Sequence, residues 1–145
     1  MIVDLPDLAA MAALGARIGA RLRASDVVAL TGPLGTGKTT LARAIIAACG
    51  HGGEVPSPTF TIIETYPDCS PPLVHADFYR LATAREAGEL GLEDYRRDGA
   101  LIAEWPERAG GFDHEPGCLA VTLEAVGAGR RGIVEPGPAW LGRWP

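Results

Sequence analysis

Hydrophobic and polar positions follow a helical period at the start of the chain. Residues 4–23 carry small and apolar side chains at three- and four-residue steps, and Asp4 stands where it can cap a helix over that range. The residues of this apolar face are Leu8, Met11, Gly15, Ile18 and Leu22. The pattern predicts an amphipathic first helix.

Short runs of apolar or β-branched residues further along the chain predict the strands of a sheet. These runs are residues 27–30, 59–66, 73–77 and 100–105. A helical period returns after residue 39. Thr83 and Glu86 have the spacing of a capping box, which predicts a further helix over Ala84–Leu90.

A glycine-rich segment joins the strand over residues 27–30 to the helix that follows it. Residues 32–39 read GPLGTGKT and match the phosphate-binding pattern GxxxxGK[ST] at every fixed position. Glycines let backbone N–H groups turn toward a phosphate, Lys38 neutralises phosphate charge, and the Thr39 hydroxyl is available to Mg²⁺. The segment predicts a site for a nucleoside triphosphate and magnesium.

Strands that alternate with helices indicate an α/β fold. Residues 118–126 and 130–134, joined by a glycine-rich turn, add an antiparallel C-terminal hairpin. We expect a single P-loop NTPase-type domain over residues 1–145, built in three layers with a mainly parallel sheet between helices.

Two acidic residues end predicted strands, Asp77 after LVHA and Glu104 after ALIA. The carboxyl ends of parallel strands form the edge at which ligands gather in such folds. One carboxylate could hold Mg²⁺ while the other orients or deprotonates an attacking water. The pattern leaves open which acid has which role.

Composition and charge limit the partners and the location that we expect for the protein. The 145 residues carry a net charge of −5, whereas surfaces that bind nucleic acid usually have a basic excess. No apolar run approaches the length of a membrane span, and no signal peptide is visible. The three cysteines lack metal-ligand spacing. We expect a cytoplasmic protein that does not bind a membrane and is a poor candidate for direct binding to a nucleic-acid backbone.

Four motifs in order resemble the TsaE (YjeE) family, bacterial P-loop ATPases of the tRNA threonylcarbamoyladenosine (t6A) pathway. They are GPLGTGKTT at 32–40, SPTFT at 57–61, HADFYRL at 75–81 and EWP at 104–106. The resemblance runs from about Leu14 to Arg130. It implies a weak, Mg²⁺-dependent ATPase required for t6A formation at tRNA position 37, with TsaD- and TsaB-type subunits as partners.

The resemblance also implies roles for individual residues. Thr39 and Glu104 would ligate Mg²⁺, and Lys38, Asp77 and Thr59 would form the catalytic set, with Thr59 sensing the γ-phosphate. The residues expected to contact the nucleotide are Leu34, Gly35, Thr36, Gly37, Lys38, Thr39, Thr40 and Arg130. Trp105, directly after the metal acid, would be functionally sensitive.

Several of these residues have a plainer interpretation. Packing would account for Trp105, a solvated hairpin end for Arg130, and β-propensity for Thr59. His75 is expected to be structural. Two departures from the family pattern are Pro33, where an acid is usual, and Met11, where a threonine is usual.

Two other functions use the same phosphate-binding loop. A small-molecule kinase would need an acceptor pocket and a lid, for which residues 83–97 are the candidate. A nucleotide-dependent switch would act through conformation, with hydrolysis only resetting it.

Overall fold

The computed structural model describes residues 1–58 and 61–144. In chain order, the strands and α-helices are β1 (Ile2–Leu5), α1 (Leu8–Gly19), β2 (Val27–Thr31), α2 (Lys38–Ala48), β3 (Ile63–Tyr66), β4 (Leu73–Asp77), α3 (Leu92–Asp98), β5 (Ala100–Glu104), β6 (Cys118–Val126) and β7 (Gly129–Pro136). Short 3₁₀ segments cover Ala84–Leu90, Pro106–Ala109 and Pro138–Trp140. None of the helices in the described ranges has the length and apolar character that crossing a membrane requires.

All seven strands belong to one sheet in the order β1-β7-β6-β2-β5-β4-β3. The four central strands, β6, β2, β5 and β4, are parallel to one another. The outer pairs β1–β7, β7–β6 and β3–β4 are antiparallel. The α/β fold with an antiparallel C-terminal hairpin, expected from the sequence, is confirmed.

Each face of the sheet packs against its own apolar cluster, which gives three layers. α1 and α2 cover one face through residues such as Ile18, Leu41 and Ile45. On the other face, Leu92 of α3 and Phe112 pack against buried strand residues. The helical layer is therefore thick on the α1–α2 face and thin on the α3 face.

The start of the chain differs from the helix expected over residues 4–23. Asp4 lies in strand β1, and α1 begins only at Leu8, with the Asp7 carboxylate accepting from the Ala10 amide at 2.9 Å. Pro6 is the physical reason, because a proline disfavours helical conformation in the residue before it. The helix also ends early, at Gly19.

The middle of the chain departs from the pattern in two places. The strand expected over residues 59–66 begins only at Ile63, because Ile62 has a φ of 69° and donates its amide to the Pro58 carbonyl. Residues 59 and 60 lie outside the described residues. The helix expected over Ala84–Leu90 is 3₁₀, with no hydrogen bond from the Thr83 side chain to cap it.

Helices α1 and α2 approach each other closely. A Cβ built on Gly15 would lie 2.4 Å from the Cβ of Ala44, so only glycine fits at this position. The contact fixes α2, whose first residues close the glycine-rich loop.

The C-terminal segment is tied to the end of the sheet opposite that loop. Arg143 makes two hydrogen bonds to the Asp26 carboxylate, at 2.7 and 2.8 Å, and Trp140 is fully buried. The segment after β7 is therefore part of the folded domain.

Candidate functional site

The glycine-rich loop lies at the carboxyl end of β2, between Thr31 and the first residue of α2. Gly32 and Gly37 have φ values of 147° and 98°, which disfavour other residues. A Cβ on Gly32 would also lie 2.5 Å from the carbonyl oxygen of Leu123. The glycines thus give the loop a shape that a side chain would prevent.

Lys38 is buried and turned back into the loop. Its Nζ donates to the carbonyl oxygens of Gly32 at 2.6 Å and Pro33 at 2.9 Å. Burial lowers the pKa of the Lys38 ammonium below its ordinary value of 10.5, while the charges of Glu104 and Asp77 oppose that shift. The cation is thus held at the centre of the predicted phosphate site.

Thr39 and Glu104 are in direct contact. The Thr39 hydroxyl donates to the Glu104 carboxylate, with Oγ1 2.8 Å from Oε1 and 3.1 Å from Oε2. Glu104 ends β5, which lies beside β2, and its Cα is paired with that of Leu30 just before the loop. The fold therefore brings together the two residues expected to ligate magnesium.

Asp77 ends β4, the neighbour of β5, and its Cα is paired with that of Glu104. The side chain is largely buried, and its Oδ1 accepts the Tyr79 amide at 3.0 Å. The two carboxylates thus occupy equivalent positions on adjacent strands, but the described Thr39 hydroxyl bonds are to Glu104.

His75 also contacts Glu104, a contact that sequence reasoning missed. The ring is fully buried, with Nε2 2.7 Å from Glu104 Oε2. The alternation of strand residues, which puts His75 and Asp77 on one face of β4, is the signal that could have indicated it.

Trp105 forms an aromatic wall beside the lysine. Its ring centroid lies 4.5 Å from Lys38 Nζ and 4.9 Å from the ring of Tyr79, and the Arg108 guanidinium lies over both rings. Trp105 has a φ of 55° and directly follows β5, so the chain turns at the edge of the site. The residue thus combines packing with a position next to the predicted phosphate site.

A cavity of about 460 Å³ opens at this edge of the sheet, within the size range of small-molecule sites. The predicted residues that line it are Leu34, Gly35, Gly37, Lys38, Thr39, Thr40, Asp77, Glu104, Trp105 and Arg130. Thr36 does not line it, because its buried hydroxyl donates to the Pro33 carbonyl at 2.7 Å. Thr59 lies outside the described residues.

The far wall of the cavity comes from segments that the sequence did not indicate. Residues 5–8, from the last residue of β1 to the first of α1, form part of it together with Ala128 and Gly129, the first residue of β7. Arg130 joins this wall to the loop, since its Nη2 donates to the Gly35 carbonyl at 3.1 Å.

The donor atoms fit magnesium bound together with a phosphate. No group of three or more His, Cys, Asp and Glu side chains within residues 1–58 and 61–144 could hold a metal ion. Thr39 and Glu104 offer a hydroxyl and a carboxylate at one point, and Mg²⁺ prefers oxygen ligands and is usually completed by substrate phosphates and water.

The chain is similar to proteins of known name. Residues 5–133 match the family model described as threonylcarbamoyl adenosine biosynthesis protein TsaE. The Streptomyces coelicolor tRNA threonylcarbamoyladenosine biosynthesis protein TsaE is 44% identical over 100 residues, which cover 67% of this chain and 68% of that protein. The Haemophilus influenzae protein of the same name is 41% identical over 87 residues, or 59% of this chain and 55% of that protein.

The fold is similar to a solved structure. The crystal structure of Bacillus subtilis YdiB superposes with a TM-score of 0.73 at 25% identity, covering 92% of this chain and 83% of that one. The match to the two curated relatives spans between about half and two thirds of their lengths.

Proposed function

This chain belongs to the family of the threonylcarbamoyl adenosine biosynthesis protein TsaE, and we propose that it is a Mg²⁺-dependent ATP-binding protein and weak ATPase required for t6A formation at tRNA position 37. The observation that carries the proposal is the contact between Thr39 and Glu104 at the start of α2, within a cavity that also contains Lys38. Nucleotide chemistry needs these three groups at one place.

Phosphate binding is the role of the loop and of Lys38. The amides at the start of α2 carry the positive end of the helix, which favours anions. Lys38 would exchange its bonds to the Gly32 and Pro33 carbonyls for bonds to the β- and γ-phosphates. Leu34 and Arg130, at the outer part of the cavity, would contact the rest of the nucleotide.

Thr39 and Glu104 would hold the magnesium ion. Because the Thr39 hydroxyl gives its hydrogen to Glu104, lone pairs of Oγ1 remain for a cation. When bound, the ion supplies charge neutralisation on the phosphate oxygens.

Hydrolysis requires a water placed in line with the γ-phosphoryl group, and Asp77 is the residue proposed to orient it or accept its proton. Asp77 lines the cavity on the strand next to Glu104. Its hydrogen bond from the Tyr79 amide limits the rotation of the carboxylate. Thr59 stays a predicted sensor of the γ-phosphate.

The arrangement favours hydrolysis over the kinase alternative. A kinase encloses its acceptor and phosphates beneath a lid. Residues 83–97 do not contribute to the cavity wall. Leu92, within that segment, packs in the apolar cluster on the α3 face of the sheet. Water is therefore the acceptor that the site best accommodates.

The proposed partners are TsaD- and TsaB-type subunits, with tRNA contacted only indirectly. P-loop hydrolases are commonly slow alone and accelerate when a partner completes the site. The net charge of −5 suits a subunit that contacts proteins rather than the RNA backbone.

Phosphate release from Mg-ATP, measured with and without a purified TsaD–TsaB pair, tests the proposal. We expect slow release that the pair accelerates, and loss of both rates in Lys38→Ala. The exposed Arg97→Ala is the matched cation control and should keep both rates. Phosphate that appears only on an added small acceptor would support the kinase instead, and failure to bind ATP would overturn the proposal.

A further inference from the structure

His75 is the polar residue at the centre of an otherwise apolar stretch of β4. Leu73, Val74 and Ala76 around it are buried, and His75 itself is fully enclosed. Its Nε2 lies 2.7 Å from Glu104 Oε2. Because an ionised carboxylate only accepts hydrogen bonds, Nε2 must carry the hydrogen that is donated.

The other ring nitrogen of His75, Nδ1, is buried. It lacks a hydrogen-bond partner within the described part of the protein. An unpaired buried nitrogen is unfavourable, and an aliphatic side chain at this position would pack without it. Within the described residues, the polar contact of His75 that an aliphatic residue could not make is the one to Glu104.

Glu104 is held from two directions. Thr39 donates to its carboxylate from α2, and His75 donates from β4. Two donors on different elements fix the plane of the carboxylate as well as its position. A carboxylate fixed in this way is ready to ligate a cation without losing further side-chain freedom.

We infer that His75 is a positioning residue, which orients the Glu104 carboxylate for the magnesium ion that accompanies ATP. The inference rests on the proposed function, since it concerns the same metal. Loss of a partner that hydrogen-bonds a metal ligand typically reduces metal affinity about 10–100-fold.

Three substitutions separate positioning from packing. In His75→Gln, the amide nitrogen is as many bonds from Cα as Nε2 is, so the donor to Glu104 can be kept. In His75→Asn the nitrogen reaches only the Nδ1 position, and His75→Leu has no donor. The exposed His114→Asn is the matched control, and thermal unfolding of each variant reports whether it is folded.

Calorimetric titration with the non-hydrolysable analogue AMPPNP, in excess Mg²⁺ and in EDTA, provides the readout. The ratio of the two affinities measures the contribution of the metal, independently of turnover. We expect His75→Leu and His75→Asn to reduce that ratio about 10–100-fold with the EDTA affinity unchanged, and His75→Gln to stay within about threefold of the unchanged protein.

The outcomes distinguish this inference from the proposed function. A full magnesium contribution in folded His75→Leu, or an equal loss in His75→Gln and His75→Leu, would overturn the positioning role alone. Absence of AMPPNP binding by the unchanged protein in both conditions would overturn the proposed function together with the inference.

Discussion

The guanidinium of Arg130 donates a hydrogen bond to the carbonyl oxygen of Gly35, 3.1 Å away, and so joins the C-terminal hairpin to the glycine-rich loop. The two residues are 95 positions apart in the chain. The loop is therefore supported by α2 at its end and by β7 at its middle.

Arg130→Met should weaken nucleotide binding without unfolding the protein. A hydrogen bond of this kind contributes about 0.5–1.5 kcal/mol, which corresponds to an increase in the ATP dissociation constant of about 2–12-fold. Arg131→Met removes the neighbouring arginine, whose contact with Glu124 at 4.0 Å is exposed, and should leave affinity unchanged. An equal effect of both variants in calorimetry would indicate a general charge effect instead.

Asp77→Asn and Glu104→Gln should affect different kinetic quantities. The first should lower kcat, and the second should raise the Mg²⁺ concentration that the reaction requires. Asp77→Asn removes the proposed proton acceptor and should lower kcat about 10²–10⁴-fold with little change in the Mg²⁺ requirement. Glu104→Gln should raise the Mg²⁺ concentration that gives half-maximal activity, because the carboxylate bonded to Thr39 loses its charge. Magnesium titrations of phosphate release measure both effects, and the reverse pattern would exchange the two roles.

Gly15→Ala should destabilise the protein although alanine favours a helix. Helix propensity would contribute about 0.5–1 kcal/mol in its favour. The new Cβ would lie 2.4 Å from the Cβ of Ala44, and forced overpacking costs about 1–3 kcal/mol. We expect a net loss of about 1–2 kcal/mol in urea unfolding. The double variant Gly15→Ala/Ala44→Gly should lose less than the sum of the single losses, and strict additivity would contradict the clash.

Arg143→Met should lower the free energy of unfolding by about 3 kcal/mol, because it leaves the Asp26 carboxylate without its two-pronged partner. The side chains of the pair are only 11% and 5% exposed. Arg97→Met breaks an ion pair with Asp94 whose side chains are 73% and 83% exposed, and should cost less than about 1 kcal/mol. Similar losses of unfolding free energy in Arg143→Met and Arg97→Met, measured with urea, would contradict the explanation that burial makes the Arg143–Asp26 pair the stronger of the two.

The contact between His51 and Asp68 should give stability a pH dependence. Their hydrogen bond raises the pKa of His51 above 6.5 and lowers that of Asp68 below 3.8. The His51 contribution is complete below pH 6.5 and is lost as pH rises through its raised pKa. The Asp68 contribution is complete above pH 3.8 and is lost as pH falls through its lowered pKa. Asp68→Asn should therefore lower Tm most between these values, whereas a difference independent of pH would contradict the pairing.

The position of the glycine-rich loop between a strand and a helix could be predicted from the sequence because its information is local. Glycines at fixed spacing, the strand before them and the helix after them all lie within residues 27–48. Asp77 and Glu104 could also be placed at the ligand edge, since each ends its own apolar run.

Contacts between distant segments could not be predicted in this way. Strand β1 forms by pairing with β7, with Ile2 opposite Ile133, and nothing in its own four residues indicates that partner. The cavity wall that follows β1 cannot be predicted for the same reason. The sequence indicates only a structural role for His75, because its contact with Glu104 depends on two strands that lie side by side.

In the proposed function, the hydrogen bonds of Lys38 to the Gly32 and Pro33 carbonyls would make nucleotide binding an exchange of partners rather than the addition of a new one. Lys38 is the one lysine of the sequence, and its side chain is buried rather than exposed to solvent. Carbonyl oxygens of the loop accept the hydrogen bonds of its ammonium group. A triphosphate would then compete with the loop carbonyls for Lys38, and its net affinity would be the difference between two sets of hydrogen bonds. The same carbonyl contacts would preserve the shape of the loop between the proposed turnovers, so that each nucleotide would meet a site already formed.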